Sequence, residues 1–239
     1  MKRREFKIFM DFDGTLSQQD VGEEIFNEFG DERQVKKIID DLLSDKISSK
    51  QSWFELCNSV SSISENELNK FLETMLIEST FRSFQEYCKE QNFEIYVLSD
   101  GFDFYIDRIL KNNNIDGLVV YANHLEITEG KLIPSFPYYD DASFSSANCK
   151  RNHIINHSSE DDFTVFIGDG NSDKEVVEYC DFVFAKDDLL KFCEKERITF
   201  FPFKNFDEVI KKINELKDKK RLKKRNRAVL KRKQAYVVE

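Results

Sequence analysis

Tryptophan is nearly absent from this chain, with one residue in 239, and apolar residues nowhere run for the ~18 positions that a membrane-crossing helix needs. The start, MKRREFKIFMDFDG, passes into acidic residues where a secretion signal would carry its cleavage region, so a cytoplasmic location away from membranes is expected. The five cysteines, Cys57, Cys88, Cys149, Cys180 and Cys193, are odd in number and nowhere spaced as CxxC. That argues against a disulfide framework and against a structural zinc site. His124, His153 and His157 make no metal-binding spacing with one another or with a cysteine pair, and no catalytic role is expected of them. No internal repeat or low-complexity linker interrupts the body.

Phenylalanine is plentiful instead, with 23 residues, and predicts a core built on Phe together with Ile, Leu and Val. Charge is unevenly spread. Residues 217–239 hold eleven Lys and Arg against Asp218 and Glu239, which leaves 25 basic and 43 acidic residues before them. The body is therefore near −18 and the tail near +9. With few aromatics and no groove-reading motif, the tail reads first as a solvated extension of the last helix, with folding back on the acidic body as a further option; nucleic acid is weighed well below both.

Short apolar runs, FKIFM (6–10), EIYVLS (94–99), FTVFIG (163–168), DFVFA (181–185) and ITFFPF (198–203), read as strands buried on both faces. Amphipathic patterns at 81–91, 103–113, 172–180 and 206–217 read as the helices between them, and Asp103 as a cap of its helix. Strand alternating with helix predicts an α/β fold with a Rossmann-like parallel sheet. Some 80 residues lie between the first strand and the second and show helical spacing throughout, about four helices, the last opened by a capping box of Ser64 and Glu67. They read as an inserted small helical cap. Residues 117–134 alternate and turn at Glu129-Gly130, as a strand and hairpin would. The expected division is a core of 1–16 and 80–216, a cap of 17–79 that closes over the site, and a basic extension of 217–239.

In open α/β sheets ligands bind beyond the carboxyl ends of the strands, so the residues just after each run are candidates. They are Asp11, Asp13, Gly14 and Thr15; then Ser99, Asp100 and Gly101; then Asp169, Gly170, Asn171 and Asp173. Converging carboxylates repel unless a cation sits among them, and oxygen donors without His or Cys favour a hard ion, naturally magnesium. A carboxylate can also attack phosphorus, with a cation on the phosphoryl oxygens, a role open to Lys150 in ANCKRNH.

The series DFDGT, Ser99, Lys150 and GDGNSD, in that order, resembles the four motifs of haloacid dehalogenase superfamily phosphatases across residues 6 to about 215. The resemblance implies that Asp11 is nucleophile and metal ligand. It implies that Asp13 offers a backbone carbonyl to the metal and serves as general acid and base, with Thr15 and Gly14 shaping their loop. Ser99 and Lys150 would hold phosphoryl oxygens, and Asp169 and Asp173 would serve the magnesium ion. The insert resembles the small cap of the phosphoserine phosphatase branch, which makes Glu23 a substrate-contacting acid. SDGFDFYIDRIL and residues 168–209 are similar to the methionine-salvage phosphatase subgroup, with two departures: only Cys149 stands where that subgroup has a cysteine-rich stretch, and Asp100 replaces a common glycine, adding negative charge beside the phosphate site. Expected, then, is a magnesium-dependent phosphatase of a small phosphorylated metabolite, with a homodimer left open. The alternatives are a phosphotransferase of the same fold and a non-catalytic binding or regulatory protein.

Overall fold

The structure, a computed structural model, describes residues 5–143 and 145–238; Met1–Arg4 and Glu239, at the ends of the expected core and tail, lie outside the described residues. Along the chain, β1 (Phe6–Met10) is followed by α1 (Val21–Phe29), α2 (Glu32–Leu43), α3 (Ser49–Ser59) and α4 (Glu65–Leu72). Each of these helices starts where a side chain takes an otherwise orphaned backbone N–H: Asp20 from Glu23, Asp31 from Gln34, Ser48 from Gln51, and Ser64 from Glu67 in the expected capping box. Then come α5 (Phe81–Gln91), β2 (Glu94–Phe102), α6 (Asp103–Asn112) and the hairpin of β3 (Val119–Thr128) and β4 (Lys131–Ser135). Its turn falls at Glu129 and Gly130, both at positive φ, as the inward twist of a two-residue hairpin turn requires. The rest is α7 (Lys150–Asn156), β5 (Phe163–Gly168), β6 (Phe182–Ala185), α8 (Asp187–Lys195), β7 (Phe201–Pro202), α9 (Phe206–Lys217) and α10 (Asn226–Val238).

Two compact units divide the chain. The first holds residues 1–11, 78–98 and 150–239. Its sheet is parallel throughout, in the order β2-β1-β5-β6-β7. Ile8, Phe9 and Met10 of the inner strand are fully buried, as unbroken apolar runs covered on both faces should be. The phenylalanine core is present as ring clusters: Phe6 lies 5.6 Å from Phe163 and 6.1 Å from Phe182, and Phe84 of α5 stacks on Phe206 of α9 at 5.0 Å.

The second unit holds residues 12–77 and 99–149. Residues 99–149 thus pack with the helical insert, where the sequence grouped them with the sheet. The reason is polar and aromatic. Asp100 takes the indole N–H of Trp53 at 3.2 Å and the hydroxyl of Ser49, both on α3, while Trp53 meets Phe102 edge-on at 4.9 Å and Phe54 meets Phe136 at 5.0 Å. In this unit the order is β4-β3-β2, carried by the far end of β2.

Three local expectations are corrected. Residues 172–180 form two single 3-10 turns, Asn171–Asp173 and Val176–Tyr179, instead of one helix, because the Asp173 carboxylate takes the backbone N–H groups of Asp169 and Gly170. Asp103 does not cap α6: its carboxylate takes the N–H of Leu125 at 3.1 Å and meets His124 at 2.7 Å, fastening β3. The tail does not prolong α9 into solvent. Helix α10 folds back on acidic residues of its own unit, with buried Arg232 donating to Asp181 at 3.1 Å and to Thr164 at 2.9 Å, and Lys231 pairing with Glu178 at 2.9 Å.

Candidate active site

The chain passes from one unit to the other after Asp11, before Ser99 and before Lys150, so three motif residues stand at passages between the units.

In the sheet unit, β1 runs in register with β5, and the Asp11 N–H continues the ladder to the carbonyl of Ile167 at 2.9 Å. That places Asp11 at the carboxyl end of its strand, level with the loop of Asp169 and Asp173. Lys150, the first residue of α7, sends its ammonium into this cluster, 2.8 Å from Asp11, 2.7 Å from Asp173 and 3.0 Å from the Ser172 hydroxyl. Lys150 is 2% exposed and Asp173 fully buried. Burial works against the lysine's charge, but Asp11 and Asp173 outweigh it and hold the ammonium above its ordinary range. Gly168 has no room for a side chain, since a Cβ would fall 2.4 Å from the Asp173 carboxylate.

Asp11, Asp169 and Asp173 each place one carboxylate oxygen within 4.8 Å of the others. Three carboxylates against one ammonium leave two negative charges, and every donor is oxygen. That set suits a hard divalent cation.

In the second unit, the Asp13 carboxyl is gripped by three donors. Its Oδ1 accepts from the Val21 N–H at 3.0 Å; its Oδ2 accepts from the Tyr105 hydroxyl at 2.8 Å and the Ser99 hydroxyl at 3.1 Å. Although Asp13 keeps part of its surface open, the protein packed around its carboxyl, followed by the charge of Asp20, pushes it up to about 7 against the pull of those donors. Buried Thr15 sits in the tight turn that follows, its N–H on the carbonyl of Phe12 at 3.2 Å. Glu23 is exposed in the first turn of α1.

Asp100, expected to add negative charge beside the phosphate site, also has a structural part. Beyond Ser49 and Trp53, it takes the Ser146 hydroxyl at 2.7 Å and the backbone N–H groups of Ala147 and Asn148, so five donors surround it. It fastens the segment that leads into Lys150. Sequence reasoning gave no role to Tyr105, Ser172 or Asp20, although Tyr105 falls within SDGFDFYIDRIL and Ser172 within GDGNSD.

A family model for haloacid dehalogenase-like hydrolases matches residues 8–178. The 2-hydroxy-3-keto-5-methylthiopentenyl-1-phosphate phosphatase of Bacillus mycoides (strain KBAB4) is 30% identical over 213 residues, covering 88% of this chain and 96% of its own. Among solved structures, a phospho-aspartyl intermediate analogue of phosphoserine phosphatase superposes with a TM-score of 0.68 at 22% identity, over 88% of this chain and 99% of that one. A substrate-bound phosphoserine phosphatase gives 0.65 at 21%, over 89% and 99%. The family match spans Asp11, Asp13, Ser99, Lys150, Asp169 and Asp173, and the chain belongs to the haloacid dehalogenase-like hydrolases, among their phosphatases.

Proposed function

We propose that this protein is a magnesium-dependent phosphatase that hydrolyses a small phosphomonoester through an aspartyl-phosphate on Asp11. The observation that carries the reading is the cluster of Asp11, Asp169 and Asp173 with the Lys150 ammonium inside it at the end of β1. The three carboxylates would hold the magnesium ion, joined by the Asp13 backbone carbonyl. When bound, the ion would draw charge from the phosphoryl oxygens.

In the first step the Asp11 carboxylate attacks phosphorus and the bond to the leaving oxygen breaks. The electron pair of that bond goes to the leaving oxygen, which takes the proton of Asp13. Asp13, now a carboxylate, then takes a proton from water as the water oxygen attacks the acyl phosphate. Inorganic phosphate leaves and Asp11 returns as carboxylate. A carboxyl pushed up to about 7 is suited to give and take a proton near neutrality. Asp11 and Asp13 are two positions apart, so the chain itself keeps their Cα atoms within about 7 Å.

Lys150 and Ser99 are proposed to hold phosphoryl oxygens, Thr15 to support the loop, and Glu23 to meet the substrate. The names of the Bacillus relative and of the phosphoserine phosphatases support a substrate of the methionine-salvage enol phosphate or phosphoserine type. The test is phosphate release from a panel containing both esters, with magnesium or chelator, for wild type and Asp11→Asn. Release that needs both magnesium and Asp11 is expected. Release that persists in Asp11→Asn would overturn the reading.

A further inference from the structure

Tyr105 falls within SDGFDFYIDRIL, a stretch in which no role was read for it, on the inner face of α6, and is 1% exposed. Its ring packs 6.2 Å from Phe12 and meets Phe102 edge-on at 6.5 Å, a setting that phenylalanine would fill equally well. The hydroxyl is what packing does not explain. It donates to Asp13 Oδ2 at 2.8 Å.

We infer that Tyr105 is a positioning residue for Asp13, one that fills Oδ2 with a donor so that Oδ1 becomes the oxygen that carries the transferred proton. The inference rests on the proposed reading of Asp13 as general acid.

Three observations converge on it. A carboxylate oxygen has two lone pairs in its plane, and both on Oδ2 are taken, one by Tyr105 and one by Ser99. Ser99 donates its one hydrogen to Oδ2 while its oxygen accepts the Gly101 N–H at 2.9 Å; when that hydrogen turns to a phosphoryl oxygen, as proposed for Ser99, Tyr105 remains the donor on Oδ2. Among the described residues Oδ1 takes a single donor, the Val21 N–H, which leaves its second lone pair for a proton.

Gly101 supplies an independent sign that the hydroxyl is built in. A Cβ there would fall 1.5 Å from Tyr105 Oη and 3.0 Å from Asp13 Oδ2. Gly101 shows no left-handed φ, so the conformational freedom of glycine is not what the position uses. It uses the missing side chain, and the space is occupied by the tyrosine hydroxyl.

A misplaced general acid harms a reaction only as far as the leaving oxygen needs its proton. A series of para-substituted phenyl phosphates, from nitro to methoxy, varies that need while keeping shape nearly constant. We expect Tyr105→Phe to lower kcat/KM about tenfold or more on the methoxyphenyl ester and under about threefold on the nitrophenyl ester. Gly101→Ala, which displaces the hydroxyl while keeping it, should tilt the series in the same direction, and Asp13→Asn should tilt it further. Thermal unfolding of each variant identifies any that fail to fold.

A tilt with Asp13→Asn but a uniform loss, or none, with Tyr105→Phe would overturn the inference and leave the reading of Asp13 standing. A uniform loss with Asp13→Asn would overturn that reading and the inference with it.

Discussion

Asp173 in the sheet unit and Asp13 in the other unit each accept three hydrogen bonds, yet the two carboxyls are prepared for different work. Asp173 takes an ammonium and two backbone N–H groups. Asp13 takes one backbone N–H and two hydroxyls. The numbers are equal, but only the first set contains a full positive charge. Dipoles alone do not offset the loss of solvent around Asp13, and nearby Asp20 adds negative charge, so its carboxyl rises to about 7. On the proposed reading, what separates the carboxylate that would hold a cation from the carboxyl that would hold a proton is the net charge of the groups facing it.

The comparison breaks most severely if the cation is taken away. Lys150→Met should leave Asp11 and Asp173 facing each other uncompensated, lowering kcat/KM by roughly 10³-fold and stability in chelator by about 3–5 kcal/mol. Magnesium should restore more stability to this variant than it adds to wild type, because a bound cation replaces the missing charge. Thermal unfolding with and without magnesium measures it, and equal magnesium effects in the two proteins would contradict the charge argument.

A buried charge pair away from the cluster sharpens the same point. Arg232→Met leaves Asp181 buried beside Thr164 without its guanidinium, and should cost about 3 kcal/mol in urea unfolding. Activity per folded molecule should stay at the wild-type level. A cost below about 0.5 kcal/mol, the range of ordinary surface substitutions, would mean that α10 is not held by this pair.

Smaller still is the effect at His153, where burial acts on a base. Burial, with a contribution from His157, pulls its imidazole down from 6.5 to about 4. Loss of solvent favours the neutral form in both cases, putting a proton on Asp13 and removing one from His153. The unfolded chain therefore binds a proton below about pH 6.5 that the folded chain refuses until about pH 4. The contribution of His153 to stability is complete above pH 6.5 and is lost progressively as pH falls toward 4. Urea midpoints of wild type should decline over that window more steeply than those of His153→Gln; parallel slopes would contradict the assignment.

Much of this was legible in the sequence where a local pattern decides the outcome. Unbroken apolar runs marked β1, β2, β5 and β6, and caps such as Ser64 with Glu67 marked helix starts, because both signals act over a few residues. ITFFPF marked a strand of which only Phe201–Pro202 joins the ladder, an edge position that tolerates a proline. The strand-end carboxylates were also legible, since the sheet forces them to its carboxyl edge. What escaped depends on partners distant in sequence. The fastening part of Asp100 depends on Ser49, Trp53 and the 146–148 segment, all distant from it in sequence. Tyr105 drew no reading of its own because nothing local connects it to Asp13, 92 residues away. The tail's fold-back turned on buried Asp181, one acid among the many of the body.

The most direct test of the central claim, a charge-held nucleophile served by a proton-carrying neighbour, is the mass of acid-quenched Asp13→Asn after mixing with p-nitrophenyl phosphate and magnesium. Nitrophenolate leaves without needing a proton, whereas the later attack of water needs the base that this variant lacks. The expected result is one phosphoryl group per chain, located on the peptide that contains Asp11, together with one equivalent of nitrophenol. Continued release of nitrophenol with no phosphoryl group on that peptide, or a phosphoryl group on another residue, would contradict it.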